Sequence, residues 1–327
     1  MSLVSVLLPN YNNAPYLREC LGSLRDQTFK DFIVVFVDDC STDGSLEILN
    51  EYKELNLRVI KKQNNSGIVD TLNAGLDVID SKYMIRMDGD DICALDRFEK
   101  LVDFMENNPE IGVCSSDIKT FGISSEVWHF ESDPEMNKAK LIFGHGIGHA
   151  SSIFRMSVLK ENNIRYENLY WRMEDYLLFY KLKNVTKTTN IPEPLYFYRK
   201  GEYNENQLIR EKKLAEFKKI YNRIFSETGL VVNDEKIDIH LALNRLQKSS
   251  FRINRYKKHC EEILKANSVS GNFPYLELKK ILNKNIHQMV FRLIDENKIT
   301  LKEILVYLFI SGNPLRYYLN KKMRSES

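Results

Sequence analysis

The chain has 327 residues, of which 43% are hydrophobic and 28% charged, with 14 glycines, 8 prolines and 5 cysteines. These proportions belong to an ordinary globular protein and exclude collagen-like, disordered and disulfide-stapled chains. The net charge of +2 hides an asymmetry: residues 1–200 hold 23 Lys+Arg against 30 Asp+Glu, and residues 201–327 hold 24 against 15. An acidic head therefore precedes a basic tail.

Cys20, Cys40, Cys93, Cys114 and Cys260 stand far apart, without CxxC or Cys/His metal spacing, and no signal-peptide pattern precedes them. They read as reduced thiols in a cytoplasmic protein. The apolar runs Phe32–Val37 and Ile304–Ile310 fall short of the roughly 18 residues that a membrane-spanning helix needs.

In chain order, Leu3–Leu8 is a buried-strand run, and Pro15 then opens a helix whose apolar side is Leu17, Cys20, Leu21 and Leu24. Strand Phe32–Val37, helix Ser45–Leu55 (Leu46, Leu49, Tyr52), strand Leu57–Ile60, helix Gly67–Ile79 (Ile68, Leu72, Leu76, Ile79) and strand Tyr83–Met87 follow. A helix over Leu95–Met105 and a strand over Ile111–Cys114 continue the alternation. This βαβα rhythm predicts an α/β fold with a mostly parallel sheet covered by helices on both faces. Residues 117–150, rich in Gly, Ser and aromatics, predict irregular loops and short strands over the carboxyl edge of the sheet. Beyond about Asn204 the chain becomes basic and helical, as in Leu214–Phe225 and Ile281–Ile294, so two regions are expected, 1–204 and 205–327.

In such a sheet ligands bind beyond the carboxyl ends of the strands. After the first strand comes Pro9-Asn10-Tyr11-Asn12-Asn13, without GxGxxG or GxxxxGK[ST], so a dinucleotide dehydrogenase or P-loop enzyme is disfavoured. The ring and amides there suit a base and a ribose, or equally a Pro/Asn turn. After the second strand, Asp38-Asp39-Cys40-Ser41-Thr42-Asp43 sets two carboxylates in series, which repel unless a cation or donors compensate them. One of them could accept the imino N–H of uracil; an acidic, capped turn is the other reading. After the fourth strand, Asp88-Gly89-Asp90-Asp91 concentrates hard oxygen ligands, as Mg²⁺ or Mn²⁺ at a diphosphate requires. An EF-hand is excluded because Ile92-Cys93-Ala94-Leu95 lacks the later ligands.

Together with Gln27-Thr28-Phe29, Asn65-Ser66-Gly67 and Asn73-Ala74-Gly75, these segments resemble, in order and spacing, the landmarks of family 2 glycosyltransferases of the GT-A fold over about residues 1–200. The resemblance implies a Rossmann-like GT-A catalytic domain with a helical C-terminal extension. It implies an inverting, metal-dependent hexosyl- or N-acetylhexosaminyl-transferase that uses Mn²⁺ or Mg²⁺. Such an enzyme moves a sugar from a nucleotide-diphosphate donor, UDP being expected, to a hydroxyl of a glycan or lipid-linked acceptor in polysaccharide biosynthesis. By the same resemblance Pro9, Tyr11, Asn12, Asp39, Asn65 and Asp88 line the nucleotide, with Asp39 on the base. Asp88 and Asp90 hold the metal. Asp175, in Trp171-Arg172-Met173-Glu174-Asp175-Tyr176, is the catalytic base, although Glu174-Asp175 also reads as a capped helix start. His149 and Arg199 are candidates for diphosphate or acceptor contacts.

Two departures stand out. Leu72 replaces the Arg that often precedes the Asn matching Asn73, and Lys200-Gly201-Glu202 replaces a His after Tyr198-Arg199. A sugar-1-phosphate nucleotidyltransferase is disfavoured because its Gly-rich basic first loop is missing. A non-catalytic nucleotide-sugar-binding or assembly subunit is the alternative from another class. Ile304–Ile310 with Arg316, Lys321, Lys322 and Arg324 suggests either a peripheral contact with the inner, anionic membrane face or a helix packed on the domain. No nucleic-acid-binding motif is found.

Overall fold

A computed structural model describes residues 2–201, 207–248, 251–296 and 300. The chain divides into two compact units, Met1–Lys213 and Leu214–Ser327. The expected boundary at 204/205 and the basic segment 304–324 lie outside the described residues.

The first unit opens with β1 (Val4–Asn10), α1 (Ala14–Arg25), β2 (Phe32–Asp38), the short α2 (Ser45–Ile48), β3 (Leu57–Lys61), α3 (Ile68–Leu76) and β4 (Tyr83–Arg86). It continues with β5 (Ile92–Cys93), α4 (Arg97–Asn107), β6 (Ile111–Gly122), β7 (Val127–Trp128), α5 (Pro134–Lys140), β8 (Ile153–Arg155), α6 (Met156–Glu161), α7 (Glu174–Leu182) and β9 (Lys187–Lys200). The sheet order is β3-β2-β1-β4-β8-β6-β9-β5, with β7 on β6. The β1–β4 block is parallel throughout. β6 and β9 are also parallel, but β8 runs against both β4 and β6, so the sheet is mixed.

Every residue of β1 is buried, as expected for a strand covered on both faces. α1 buries the four residues that its spacing predicts, Leu17, Cys20, Leu21 and Leu24. The expected helix 45–55 instead stops at Ile48 and tightens into a single 3₁₀ turn, Leu49–Glu51. Beyond it the Tyr52 hydroxyl donates to the Arg18 carbonyl at 2.7 Å, and this tertiary contact overrides helical propensity. α3 is shorter than expected, and Ile68 is 39% exposed because Val69 takes the inward place. α4 starts two residues late because the backbone of Ala94 and Leu95 is already committed: Ala94 N–H donates to Leu195 O and Leu95 O accepts from Thr28 N–H.

Gly75 explains one landmark of the sequence. A Cβ built there would lie 2.1 Å from Leu7 Cδ1 and 3.3 Å from Val37 Cγ2, so α3 sits on the sheet only because that side chain is missing. Overpacking costs ~1–3 kcal/mol, and the better helix propensity of alanine recovers about 1 kcal/mol of it. Gly75→Ala is therefore expected to lower the urea midpoint without changing the slope; an unchanged midpoint would contradict this packing.

All five cysteines are free thiols. The second unit contains the later part of α8 (Gln207–Glu227), with α9 (Asp234–Leu243), α10 (Ile253–Ser270) and α11 (Tyr275–Asp295), around buried Tyr221, Tyr256, Leu278 and Leu282. Among the described residues no helix is long and apolar enough to cross a membrane.

Candidate active site

The ends of β1 and β2 are paired Asn10 to Asp38, and this register sets the first rim of the site. Asp38 is fully engaged in the turn: it accepts from Asn10 Nδ2 (2.9 Å) and from the backbone N–H (3.0 Å) and hydroxyl (2.6 Å) of Ser41. Asp39 reaches the next loop, where it accepts from Ser66 N–H (3.0 Å) and Gly67 N–H (2.8 Å) and pairs with Lys62 Nζ at 2.6 Å. Burial disfavours its charge, yet the Lys62 hydrogen bond and the two backbone donors outweigh burial and hold its carboxyl below the usual range. The repulsion expected between adjacent carboxylates is thus resolved separately for each.

Around this pair the backbone is tightly wound. Asn12 and Cys40 have φ of 54° and 66°, and Asn12 Oδ1 accepts from Thr42 N–H at 2.9 Å. Tyr11 is 49% exposed at the rim, Asn65 is exposed, and Pro9 is buried within β1. Two other landmarks are clips within the fold, and the departure at Leu72 is a core position. Gln27 ties α1 to Ala94 O and accepts from Phe98 N–H, and Asn73 clasps the backbone N–H and C=O of Tyr166.

The second rim follows β4. Asp88 Oδ1 lies 2.6 Å from Arg86 Nη2, and Arg86 is itself buried. Asp91 turns inward, accepting from Tyr196 OH (2.6 Å) and Arg199 N–H (2.7 Å), so it anchors β9. Burial, then repulsion from Asp88 and Asp90, pushes the Asp91 carboxyl far above its ordinary range; burial and Asp88 push Asp90 in the same direction. Arg199 donates to the Asp90 carbonyl at 2.8 Å, pairs with Glu19 and lies over the Tyr16 and Phe121 rings. It latches β9 onto α1 and the acidic loop, a role that the sequence pattern did not suggest.

Among the described residues no three His, Cys, Asp or Glu side chains converge as a ready-made metal centre. The donor set still fits a hard divalent cation. Two carboxylates crowd one short turn: Asp88 is paired with Arg86, Asp90 is disfavoured by burial and by Asp88, and a diphosphate would supply further oxygens.

The third group lies at the start of α7. Asp175 Oδ1 accepts from Tyr176 N–H at 2.6 Å, and Oδ2 lies 3.1 Å from His145 Nε2. Burial raises the Asp175 pKa, but the His145 charge and hydrogen bond dominate and hold it well below the usual carboxylate range. Glu174, half-buried beside it, is pushed up by desolvation and by the Asp175 charge. His149 shares a 2.8 Å hydrogen bond with Tyr166 OH among the rings of Phe154, Tyr166 and Phe179. Burial and then Arg86 lower its pKa to about 4, leaving a neutral ring. Lys62, Arg86 and His145 escaped the sequence reading. Lys62 and Arg86 are ordinary basic residues in strand-adjacent positions, and His145 was visible only as part of a Gly/His-rich loop.

The comparisons agree with this architecture. The family model "Glycosyl transferase family 2" matches residues 5–162. An uncharacterized glycosyltransferase of Methanocaldococcus jannaschii is 31% identical over 64% of this chain and 75% of its own length. The poly(ribitol-phosphate) beta-N-acetylglucosaminyltransferase TarS of Staphylococcus aureus is 27% identical over 64% of this chain but only 38% of its own length. The crystal structure of TarS 1–349 in complex with UDP-GlcNAc superposes with a TM-score of 0.62 and 20% identity, covering 91% of this chain and 93% of that one. A Pyrobaculum calidifontis mannosyltransferase in complex with GDP-Man and Mn²⁺ gives 0.56 at 15% identity, covering 95% and 88%. With the sheet, its carboxyl-edge acidic turns and these matches in agreement, the chain belongs to glycosyl transferase family 2 and has the GT-A fold with a helical extension.

Proposed function

We propose that this protein is an inverting glycosyltransferase that transfers a hexosyl or N-acetylhexosaminyl group from a UDP-sugar to a hydroxyl of a glycan or lipid-linked acceptor in polysaccharide assembly. The single observation that carries this reading is the separation of charge roles along one sheet edge. A stabilised carboxylate, Asp39, stands at one rim, an acidic turn with the under-compensated Asp90 beside Asp88 at the next, and an ionised, partly exposed Asp175 at α7. The UDP-GlcNAc complex of TarS supports UDP as the nucleotide. A cytoplasmic, membrane-peripheral location is part of the same proposal and rests on the basic residues of the tail.

In this reading Asp39 accepts from the uracil imino group, Tyr11 covers the base, and Asn12 and Asn65 line the nucleotide. The acceptor oxygen attacks the anomeric carbon as the bond to the diphosphate oxygen breaks, and the diphosphate departs with the electron pair. Asp175 takes the hydroxyl proton, and transfer of this kind contributes roughly 10²–10⁴-fold. A divalent cation held by Asp88 and Asp90 would supply Lewis-acid stabilisation of the leaving diphosphate. A diphosphate so held needs no proton donor, so one carboxylate suffices where glycoside hydrolysis uses two.

The test is release of free UDP from a panel of UDP-sugars with Mn²⁺. Release from at least one sugar is expected. UDP binding without release from any of them would instead favour a non-catalytic nucleotide-sugar-binding subunit.

A further inference from the structure

We propose that His145 is the positioning residue of the transfer: its doubly protonated ring holds the Asp175 carboxylate in place and leaves that carboxylate's free lone pairs open to the acceptor hydroxyl. This rests on the assignment of Asp175 as the base.

The inference comes from counting protons on the ring. His145 Nδ1 lies 2.7 Å from the Ile147 carbonyl oxygen, which only accepts, so Nδ1 carries a hydrogen. Nε2 lies 3.1 Å from Asp175 Oδ2, and an ionised carboxylate also only accepts. A neutral imidazole has one N–H, but these two contacts use two. With Asp175 ionised, the ring is therefore an imidazolium that donates from Nδ1 to Ile147 and from Nε2 to Asp175. The ring also lies against Phe179, with centroids 5.5 Å apart, so it cannot turn away without losing that contact. Asp175 Oδ1 is held separately by Tyr176 N–H. Each carboxylate oxygen thus has one fixed donor and one remaining lone pair, and the side chains of Asp175 and His145 are each about 30% exposed, which leaves the carboxylate a solvent-facing side.

The surrounding charges agree in sign. His149 is neutral and Tyr166 is un-ionised, so neither competes for the carboxylate. Glu174 is the acidic neighbour of Asp175, while Arg86 and Asp88 act on the flanking Glu174, His149 and Tyr166. Burial lowers the His145 pKa, but the Asp175 charge and hydrogen bond and the Ile147 carbonyl raise it beyond the ordinary histidine value. The direction of the pH effect follows. A raised folded-state pKa means that the pair is intact at lower pH and is lost as pH rises through that value. Asp175 itself stays ionised to well below the usual carboxylate range. Turnover should therefore fall on the alkaline side as His145 loses its proton.

Two measurements test this, one of them independent of activity. In ¹⁵N-resolved NMR of the full chain, His145 is expected to titrate above the ordinary value of about 6.5, and to titrate lower in Asp175→Asn. In UDP-release kinetics on the fastest sugar nucleotide of the panel, His145→Ala is expected to lower kcat roughly 10–100-fold, as the loss of an orienting partner does elsewhere, with UDP affinity unchanged. His145→Gln, which still offers an N–H to Oδ2, should recover part of kcat and flatten the alkaline limb. Wild-type kcat and pH profile in His145→Ala, or identical His145 titration in wild type and Asp175→Asn, would overturn the proposal. If His145→Ala does not fold, the NMR comparison decides. An active Asp175→Asn would instead overturn the base assignment while leaving the measured ion pair standing.

Discussion

Replacing Asp175 with asparagine is expected to lower kcat for UDP release by roughly 10²–10⁴-fold, the usual contribution of a positioned general base, while UDP binding is unchanged. The substitution keeps the size of the side chain and an oxygen that can accept from Tyr176 N–H, but it removes the proton acceptor and the partner charge of His145. Asp39, Asp88 and Asp90 lie on other elements and should keep their geometry. Loss of turnover with retained nucleotide affinity is therefore the signature of a base, whereas parallel loss of both would mark Asp175 as part of the donor pocket. Unchanged turnover would remove it from the chemistry altogether.

The second large effect is expected at Asp90. Asp90→Ala should lower kcat/KM by roughly 10²–10³-fold, the cost typical of losing one group that stabilises developing charge, and should abolish any stimulation by Mn²⁺. The same substitution should leave the melting temperature unchanged or higher. In the wild type this carboxyl is disfavoured by burial and by Asp88, so its removal relieves a repulsion within the folded protein. A site kept for function at the expense of stability behaves this way, whereas a carboxyl whose hydrogen bonds hold the fold together does not. Asp91→Ala makes the contrast: burial and repulsion raise that carboxyl further still, but it also holds Tyr196 OH and Arg199 N–H, and losing both bonds should loosen β9 and lower the melting temperature. If Asp90→Ala melted as low as Asp91→Ala, the acidic turn would be a folding element, and the metal assignment would fail.

The parallel half of the fold was legible in the sequence because β1, β2 and β4 are apolar runs buried on both faces, and α1 shows its inward face at helical spacing. The second half was not. β6 runs to Gly122, well past the apolar stretch Ile111–Cys114, because its next residues bury polar groups that satisfy one another. Ser115 Oγ donates to Asn190 Oδ1, and Asn190 Nδ2 donates to Asp117 Oδ1, both at 2.7 Å. No hydrophobic period announces such a strand. β9, with Pro192 and Pro194 and irregular register against β6, is hidden for the same reason.

The candidate site divides along similar lines. The carboxylates were visible as residue types at strand ends, since acidic side chains in series need an explanation on electrostatic grounds alone. Their partners were not. Lys62 reaches Asp39 from just beyond β3 and His145 meets Asp175 from a distant loop, pairings set by tertiary structure, while Arg86 reaches Asp88 from two residues earlier at the end of β4. Arg199 adds a contact that the pattern did not announce: besides being a candidate for the diphosphate, it ties β9 to the Asp90 carbonyl and to Glu19 and packs on Phe121.

In the proposed function the acidic turn after β4 and the carboxylate after β2 together bind a nucleoside diphosphate with a cation. Calorimetric titration of the full chain with UDP, in the presence and absence of Mn²⁺, tests this most directly. Saturable UDP binding is expected, strengthening with Mn²⁺ in the wild type and losing that strengthening in Asp90→Ala. No UDP uptake with Mn²⁺ present would contradict it.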